Sequence, residues 1–318
     1  MTDAAGIARA AVVGTGVIGA SWATVFLARG LHVAAADPAL GAEDALRRAV
    51  EAQWPAMEAM GAVSPGAAPD RRLRFASSAE DAVAGAQFVQ ENGPERLDLK
   101  RDLFRRLDDA APAEAILATS SSTITASEIQ GACQRHPERV VLGHPFNPPH
   151  LIPLVEVAGG GATSEAAVER ALGFYRALGK HPIRLRREVR GHVANRLQAA
   201  LWQEAFHLVA AGVASVEDVD AAIAQGPGLR WALLGPFANL HLSGGEGGIG
   251  ALFGKPLWQA TEAMWRDLGS VSVDAALAET VVAGVASELA AGGGQERVVR
   301  ARDAALLALL RAKADAAR

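Results

Sequence analysis

The segment "GTGVIG", residues 14–19, constrains the fold more than any other stretch of this sequence. It follows the short apolar run "AAVV" and leads into "ASWATVFLARG", whose apolar spacing is helical and which ends at Gly30. A second apolar run, "LHVAAAD", comes next. A strand, a glycine turn, a helix and a second strand within about 30 residues predict the βαβ unit of a parallel sheet.

The spacing of the glycines is typical of a dinucleotide-binding turn. Gly14 permits the tight turn, Gly16 lets a pyrophosphate approach the backbone, and Gly19 lets the helix pack against the strand. Free N–H groups at the start of the helix favour an anion there. We therefore predict that Gly14, Gly16, Val17, Ile18 and Gly19 bind the cofactor.

The acid at the end of the second strand selects the form of the cofactor. Asp37 follows Gly19 by 18 residues, and a carboxylate at this place accepts hydrogen bonds from ribose hydroxyls. It repels the additional phosphate of NADP, and no arginine follows it directly. The predicted cofactor is NAD; the alternative is a glycine-rich turn in another kind of α/β protein.

Apolar runs that predict strands continue to about residue 185. They are "GAQFVQEN", "AILATSS", "RVVLGHPF", "PLVEVAGG" and "HPIRL". Helical patterns are "DALRRAVEAQWPAMEAMGAV", interrupted near Pro55, and "TSEAAVERALGFYRALGK", with Thr163 as its N-cap. After residue 189 only helical patterns remain, one of them capped by Ser215. We predict an α/β protein: an N-terminal Rossmann-type doubly wound sheet, residues 1–188, followed by an all-helical C-terminal domain, residues 189–318.

Charge and composition exclude several classes of function. The net charge is -4 and the pI about 6.1, which argues against nucleic-acid binding. Cys133 is the only cysteine, so we predict no disulfide and no cysteine-based metal site, and a reducing, cytoplasmic setting. The N-terminus lacks the pattern of a signal peptide, and no uninterrupted apolar stretch has the length of a membrane span.

One acid stands in an apolar strand of the segment "GHPFNPPHLIPLVEV", residues 143–157. A buried carboxylate is costly unless it is paired, and His144 lies 12 residues before Glu156 across a proline-rich turn. An imidazole exchanges protons near neutral pH, and a carboxylate on one ring nitrogen leaves the other free to accept a proton. The spacing predicts a His–Glu pair that works as a general base beside the nicotinamide. A purely structural pair that holds the proline turn is an equal alternative.

This segment resembles the signature of the L-3-hydroxyacyl-CoA dehydrogenase family, and the resemblance covers nearly the whole chain. It extends to "FVQENGPERLDLKRDLF", "ILATSSSTITASEI" and "VRGHVANRLQAALWQEAFHLV". By position it implies that His144 is the catalytic base and Glu156 its orienting acid. It further implies that Ser122 binds the reacting hydroxyl and that Asn195 lies near the substrate carbonyl.

The same resemblance assigns residues of the cofactor cleft. Glu95 and Lys100 match residues that line it, and Ser120 is placed there as well, where the family usually has asparagine. The alternatives are plain: Ser122 as a helix cap, Asn195 as a cap at the domain junction, and Lys100 as a solvated helix lysine.

Departures from the acyl-CoA enzymes bear on the substrate. Residues 40–75 contain no lysine, whereas the acyl-CoA enzymes have a lysine-rich helical hairpin here, so CoA is not the favoured substrate handle. The run "GPGLRWALLGPFANLHLSGGEGG" resembles a sister branch that contains L-carnitine dehydrogenase, L-gulonate 3-dehydrogenase and lambda-crystallin. The resemblance therefore implies a small L-3-hydroxy acid, carnitine-like rather than sugar-like because the surroundings of His144 are apolar.

The substrate's carboxylate requires a cation, and a trimethylammonium group requires aromatic faces. For the substrate site we choose five residues: Phe146, Asn147, Arg230, Trp231 and Phe253. Interface packing for the arginine and core packing for the aromatic residues are the alternatives. We expect a homodimer through the helical domain, since that domain offers long apolar faces and dimerises in the family.

Other functions stay open on the sequence. One is L-gulonate 3-dehydrogenase and another is a 3-hydroxybutyryl-CoA dehydrogenase with an unusual CoA site. A ketone or imine reductase and a non-catalytic, crystallin-like NAD-binding protein are the remaining alternatives. The presence of Ser122, His144, Glu156 and Asn195 together argues against a non-catalytic protein, since a purely structural role would not require all four.

Overall fold

A computed structural model of the chain describes residues 6–67, 69 and 72–316. Its strands are β1 Arg9–Val13, β2 His32–Ala36, β3 Leu73–Phe75, β4 Phe88–Glu91, β5 Ile116–Thr119, β6 Val140–Pro145, β7 Leu154–Gly159 and β8 His181–Arg184. Its first seven α-helices are α1 Val17–Ala28, α2 Ala42–Ala59, α3 Ala79–Val83, α4 Leu97–Ala110, α5 Ala126–Gln130, α6 Glu165–Ala177 and α7 Ala194–Ala210. The others are α8 Val216–Ala224, α9 Pro227–Trp231, α10 Pro236–Ser243, α11 Gly248–Leu252, α12 Pro256–Asp267, α13 Ala275–Ala291 and α14 Gln295–Ala316.

The eight strands form one sheet in the order β3-β2-β1-β4-β5-β6-β7-β8. Neighbouring strands are parallel except β6 and β7, which run antiparallel. The first six positions have the order of a dinucleotide-binding Rossmann sheet, whose ligands bind at the carboxyl ends where the strand order reverses, here between β1 and β4. The predicted fold class is confirmed. The antiparallel turn from β6 to β7 places His144 directly opposite Glu156 in the register.

Helix α1 is the central helix of the first core. Its residues from Gly19 to Ala28 are all buried, so it reads as an apolar helix without a polar face. Trp22 stacks on Phe26 with ring centroids 5.5 Å apart, and Tyr175 of α6 lies 5.4 Å from Trp22. Burying each of these large side chains contributes roughly 1.5–3 kcal/mol, which fixes the glycine turn that precedes the helix.

Two local predictions are wrong. Helix α2 continues through Pro55, because the buried Trp54 and Met57 anchor it on both sides of the exposed proline and compensate for the lost hydrogen bond. The N-cap of α6 is Ser164, whose side chain accepts a hydrogen bond from the Ala167 amide. The hydroxyl of Thr163 is instead engaged with the Gly160 amide (2.8 Å) and the Val140 carbonyl (2.6 Å).

The chain divides into two compact units, one that ends at Arg196 and one that begins at Leu197. The sequence placed the division between residues 188 and 189. The first unit contains the sheet, and the second is helical, with Ser215 capping α8 as predicted. Tested for length and apolarity, no single described helix reaches the requirement for a membrane span; α13 and α14, which meet at an angle of 73°, meet it only as a pair.

Candidate active site

The three glycines of the β1–α1 turn have separate structural reasons. Gly14 has φ +85°, and a Cβ there would lie 2.8 Å from the backbone carbon of Asn92. A Cβ on Gly19 would lie 1.9 Å from the carbonyl oxygen of Gly14. At Gly16, by contrast, a Cβ would meet no described atom within 4 Å. Two glycines are thus required by the fold itself, while Gly16 leaves open space at the start of α1 where a phosphate group fits.

Asp37 lies at the end of β2 beside this turn. Its Oδ2 accepts a hydrogen bond from the Thr15 amide at 2.7 Å, and its Oδ1 accepts one from the Ala39 amide at 2.9 Å. The carboxylate borders a cleft of about 700 Å³ that Gly14 and Gly16 also line. A cleft of this size beside a glycine turn and an acid fits the adenosine half of NAD.

The remaining predicted residues of the glycine turn differ in exposure. Val17 is exposed at the first position of α1, and Ile18 packs partly against the core.

Two acids that line the cleft are ion-paired with an arginine: Arg106 lies 2.6 Å from Glu80 and 3.1 Å from Asp102.

A buried hydrogen-bond network joins the ends of β4 and β5. The Gln90 amide nitrogen donates to the Ser120 hydroxyl at 2.8 Å, and this hydroxyl donates to the Asn92 side-chain oxygen at 2.7 Å. Tyr175 donates its hydroxyl to Gln90 at 2.6 Å. Gln90 also donates to the carbonyl of Gly143 at 3.0 Å, next to His144. Ser120 therefore lies in a network that links the glycine turn to β6; its contact with the cofactor stays a prediction.

Lys100 and Glu95 stabilise the backbone of this region. Lys100 is 2 % exposed, and its ammonium donates to both oxygens of the buried Glu91, at 2.8 and 2.9 Å. The alternative of a solvated helix lysine is therefore wrong. Glu95 accepts hydrogen bonds from the Ser121 hydroxyl and the Thr123 amide, both at 2.7 Å. Burial acts to raise the pKa of Glu95, but these hydrogen bonds prevail and leave its pKa below the ordinary value.

His144 and Glu156 form a buried pair. The Nδ1 of His144 lies 2.9 Å from Oε2 of Glu156, and the two side chains are 6 % and 0 % exposed. The other carboxylate oxygen, Oε1, accepts hydrogen bonds from the backbone amides of Val193 (2.8 Å) and Ala194 (3.0 Å) at the start of α7. Because a carboxylate only accepts, Nδ1 carries a proton and Nε2 is the nitrogen left to exchange one.

The surroundings of Glu156 keep it ionised. Burial acts to raise its pKa, but the hydrogen bonds from His144 and from the Ala194 and Val193 amides together outweigh it. The pKa of Glu156 is therefore below its ordinary value. A buried carboxylate with all its partners supplied in this way is the arrangement that orients an imidazole and stabilises its protonated form.

The other residues predicted for the reaction have fewer contacts. Ser122 is half-buried, and among the described residues its hydroxyl has no hydrogen-bond partner. It does not cap α5, whose N-cap is Thr125 in a capping box, so that alternative is wrong. Asn195 is half-buried within the first turn of α7, where its side chain has no partner in the part of the chain that the structure describes. Both side chains therefore keep their polar groups available to a ligand.

Of the residues predicted for the substrate, two lie just after β6. The Phe146 ring stands edge-on to the His144 ring at 5.9 Å, and Asn147 is exposed before a cis peptide bond to Pro148. The other three lie in the second unit: Arg230 and the exposed Trp231 on α9, and the exposed Phe253 after α11, in edge-on contact with Trp258 at 4.8 Å. Their role in substrate binding stays a prediction.

The sequence interpretation missed a second histidine beside the pair. The His192 ring is 1 % exposed and lies 4.9 Å from the His144 ring. Its Nε2 is 2.9 Å from the Ser121 carbonyl oxygen. Burial, followed by the charge of His144, lowers the pKa of His192 despite the opposing carbonyl. The only sequence signal was its place in "RGHVANRL", three residues before Asn195.

Known proteins similar to this chain share both its domains. A family model described as "3-hydroxyacyl-CoA dehydrogenase, NAD binding domain" matches residues 9–189, and one described as "3-hydroxyacyl-CoA dehydrogenase, C-terminal domain" matches residues 191–270. The L-carnitine dehydrogenase of Streptomyces griseus is 50% identical over 309 residues, 96% of this chain and 90% of that protein. The L-carnitine dehydrogenase of Pseudomonas putida is 45% identical over 302 residues, 95% of this chain and 92% of that protein.

A solved structure extends the similarity to three dimensions. The 5-formyl-3-hydroxy-2-methylpyridine 4-carboxylic acid 5-dehydrogenase, described as an NAD⁺-dependent dismutase, is 30% identical with a TM-score of 0.81. The match covers 96% of this chain and 98% of that one.

Proposed function

This chain belongs to the 3-hydroxyacyl-CoA dehydrogenase family and is an NAD-dependent dehydrogenase, and on that premise we propose that it oxidises the hydroxyl group of L-carnitine or a similar L-3-hydroxy acid to the 3-keto acid. The observation that carries the proposal is the buried His144–Glu156 pair, which lies on neighbouring strands at the carboxyl side of a dinucleotide-binding sheet.

The choice of substrate rests on two arguments. Relatives that are 44–50% identical over nearly the whole chain bear the name L-carnitine dehydrogenase. The apolar edge of Phe146 beside His144 suits a substrate without sugar hydroxyls, and aromatic rings contribute roughly 0.5–2 kcal/mol each to binding a quaternary ammonium. We assign the carboxylate of the substrate to Arg230, and its cationic end to aromatic side chains that include Trp231 and Phe253.

The proposed mechanism follows from where the protons lie on His144 and Glu156. Glu156 accepts the hydrogen bond from Nδ1–H of His144, so in the neutral ring Nε2 is the nitrogen that can accept the proton of the substrate hydroxyl. Ser122 orients that hydroxyl, and Asn195 binds the substrate carbonyl. The glycine turn and Asp37 would hold NAD, which would supply the acceptor for the hydride that leaves the carbon. The imidazolium that forms is stabilised by the carboxylate, which itself stays ionised because three donors satisfy it.

The deciding experiment measures NAD reduction by the purified protein against carnitine, gulonate, 3-hydroxybutyrate and 3-hydroxybutyryl-CoA. We expect the highest kcat/KM for L-carnitine. A preference for gulonate or for the CoA thioester would identify the corresponding dehydrogenase instead. Failure to oxidise any member of the panel would leave a ketone or imine reductase, or a crystallin-like NAD-binding protein, as the better interpretation.

The catalytic assignment is tested by His144→Ala, with His136→Ala as the control, since His136 is a partly exposed surface histidine paired with Glu138. Loss of a general base lowers kcat by about 10²–10⁴-fold. NADH binding should remain, because the glycine turn and Asp37 are unchanged. Near-normal turnover of the His144 variant would disprove its role.

We further propose a homodimer through the second unit. Of its described large apolar side chains, only Leu252 and Leu277 are buried in the isolated chain. Exposed ones occur on most of its helices, among them Trp202, Leu229, Phe237, Leu242, Leu257 and Trp265. An apolar surface this extensive is characteristic of a protein interface. Sedimentation equilibrium should give twice the chain mass; a monomer at micromolar concentration would contradict the proposed dimer.

We assign the enzyme to the cytoplasm, where its single cysteine, the buried Cys133, stays reduced.

A further inference from the structure

The backbone at His192 has an unusual conformation. His192 has φ +52°, the one positive value among the described residues other than glycine, and it follows Gly191 with φ +74°. A left-handed conformation is unfavourable for a side chain with a Cβ, so it persists only where surrounding contacts hold it. The two consecutive residues form a tight turn immediately before α7.

The contacts that hold this turn reach both parts of the candidate site. The His192 ring is bonded through Nε2 to the carbonyl oxygen of Ser121 at 2.9 Å. The amides of the next two residues, Val193 and Ala194, donate to Glu156. One short segment therefore binds the residue before Ser122 on one side and the partner of His144 on the other.

The hydrogen bond to Ser121 determines which ring nitrogen of His192 carries the proton. A carbonyl oxygen only accepts, so Nε2 of His192 carries the proton. The Ser121 carbonyl belongs to the peptide bond that leads into Ser122, and holding that carbonyl fixes the orientation of the peptide. The Ser121 hydroxyl donates to Glu95 and its amide donates to the Thr119 hydroxyl, while His192 holds its carbonyl oxygen.

We propose that His192 is a positioning residue that ties Ser122 to the His144–Glu156 pair, so that the two groups acting on the substrate hydroxyl keep a fixed separation. The inference rests on the proposed function of that pair. The charged and titratable groups that face His192 are His144, Glu156 and Glu95. A second imidazolium here would oppose the charge that His144 acquires on accepting its proton, so a neutral His192 serves the reaction.

Two substitutions separate the hydrogen bond from the ring. His192→Gln places an amide N–H near the position of Nε2 and keeps the donor, whereas His192→Phe keeps a ring of similar size and removes it. Misplacing a group that orients the substrate costs about 10²-fold in rate. We expect His192→Phe to lose about 10²-fold in kcat with little change in KM for NAD, and His192→Gln to recover most of that loss. His136→Phe, on the surface, is the control.

A double-mutant cycle with Ser122→Ala tests whether His192 acts through Ser122. If it does, the loss caused by His192→Phe shrinks to less than about tenfold in the Ser122→Ala background, because coupled residues are not additive. Full additivity of the two losses would overturn the proposal, and so would equal losses for the Gln and Phe variants.

Nitrogen NMR of the histidine rings separates this inference from the proposed function. The wild-type protein should show His192 as the neutral Nε2–H tautomer at neutral pH, whatever substrate it oxidises. If the substrate panel fails while this tautomer is present, the proposed function is wrong and the restraint stands. A Nδ1–H tautomer, or an imidazolium at neutral pH, would overturn the role of His192 even in an active dehydrogenase.

Discussion

Replacing Glu156 with glutamine changes one oxygen to an amide nitrogen and leaves the size of the side chain unchanged. In the wild-type protein Oε1 accepts two backbone amides and Oε2 faces Nδ1 of His144. The new NH₂ group cannot replace Oε1, since it would then face two donors in a site that is 0 % exposed. It must therefore face His144, where Nδ1 has to become the acceptor.

The magnitude follows from the resulting tautomer. With Nδ1 as acceptor, the ring proton moves to Nε2, the nitrogen that we propose takes the proton of the substrate. In a Ser-His-Asp triad the analogous acid-to-amide change lowers kcat about 10⁴-fold for this reason. That factor equals about 5 kcal/mol of lost transition-state stabilisation. We expect a fall of about 10³–10⁴-fold in kcat for Glu156→Gln.

The assay is initial-rate NAD reduction with saturating substrate, accompanied by NADH titration followed by fluorescence. NADH affinity should stay within about threefold of wild type, since the cofactor turn is untouched. The matched control is Glu169→Gln, an exposed glutamate of the same unit in a surface pair with Arg184, a kind of pair that contributes little. A Glu156→Gln enzyme that retained kcat within about tenfold would refute the tautomer argument.

Three further predictions concern the cofactor and the stability of the protein. Asp37→Ser should shift the ratio of kcat/KM for NAD over NADP by about tenfold or more toward NADP, because the carboxylate no longer repels the phosphate; an unchanged ratio would argue against its role. The pKa of Glu156 is held below its ordinary 4.5, so its ionised form stabilises the folded protein above that pH, and this stabilisation is lost as the pH falls. Glutamine does not titrate. The free energy of unfolding should therefore drop less steeply for Glu156→Gln than for wild type between about pH 5 and pH 3. Gly16→Ala should leave the melting temperature within about 2 °C but weaken NADH binding, whereas Gly19→Ala should cost about 1–3 kcal/mol in unfolding free energy because its Cβ meets a backbone oxygen. Equal effects of the two substitutions on stability would contradict the separate roles of these glycines.

The parts of the fold that the sequence predicted are those set by local patterns. The strands β1, β2 and β4 to β8 follow from apolar runs, and the glycine turn from its spacing. The continuous helix α2 was not predictable from the same signals, because the burial of Trp54 and Met57 outweighs the local effect of Pro55. The short strand β3 was missed because its three residues carry no clear alternation.

The same distinction applies to the candidate site: contacts between residues close in sequence were predictable, and contacts between distant residues were not. Opposition of His144 and Glu156 followed from a strand, a turn and a returning strand, all close in sequence. The contacts of Gln90 with Tyr175 and of His192 with Ser121 join residues 85 and 71 positions apart. No period or spacing in one sequence encodes such pairs, since they arise only when the sheet brings distant strand ends together. Lys100 was ambiguous for the same reason: its partner Glu91 becomes buried only in the folded sheet.

Glu156 contributes both to the proposed catalytic pair and to the start of helix α7. A carboxylate with only one partner would be too costly in this fully buried position, since a buried charge needs all its hydrogen bonds. The donors available next to His144 are the free amides at the start of α7, which themselves lack partners within the helix. One oxygen therefore contacts His144, the proposed base, and the other accepts hydrogen bonds from the start of the helix that carries Asn195. A substitution that removes both oxygens of Glu156 should consequently disturb the proposed base and the placement of Asn195 together, whereas a substitution at His144 removes the proposed base and leaves the helix start bound to the carboxylate.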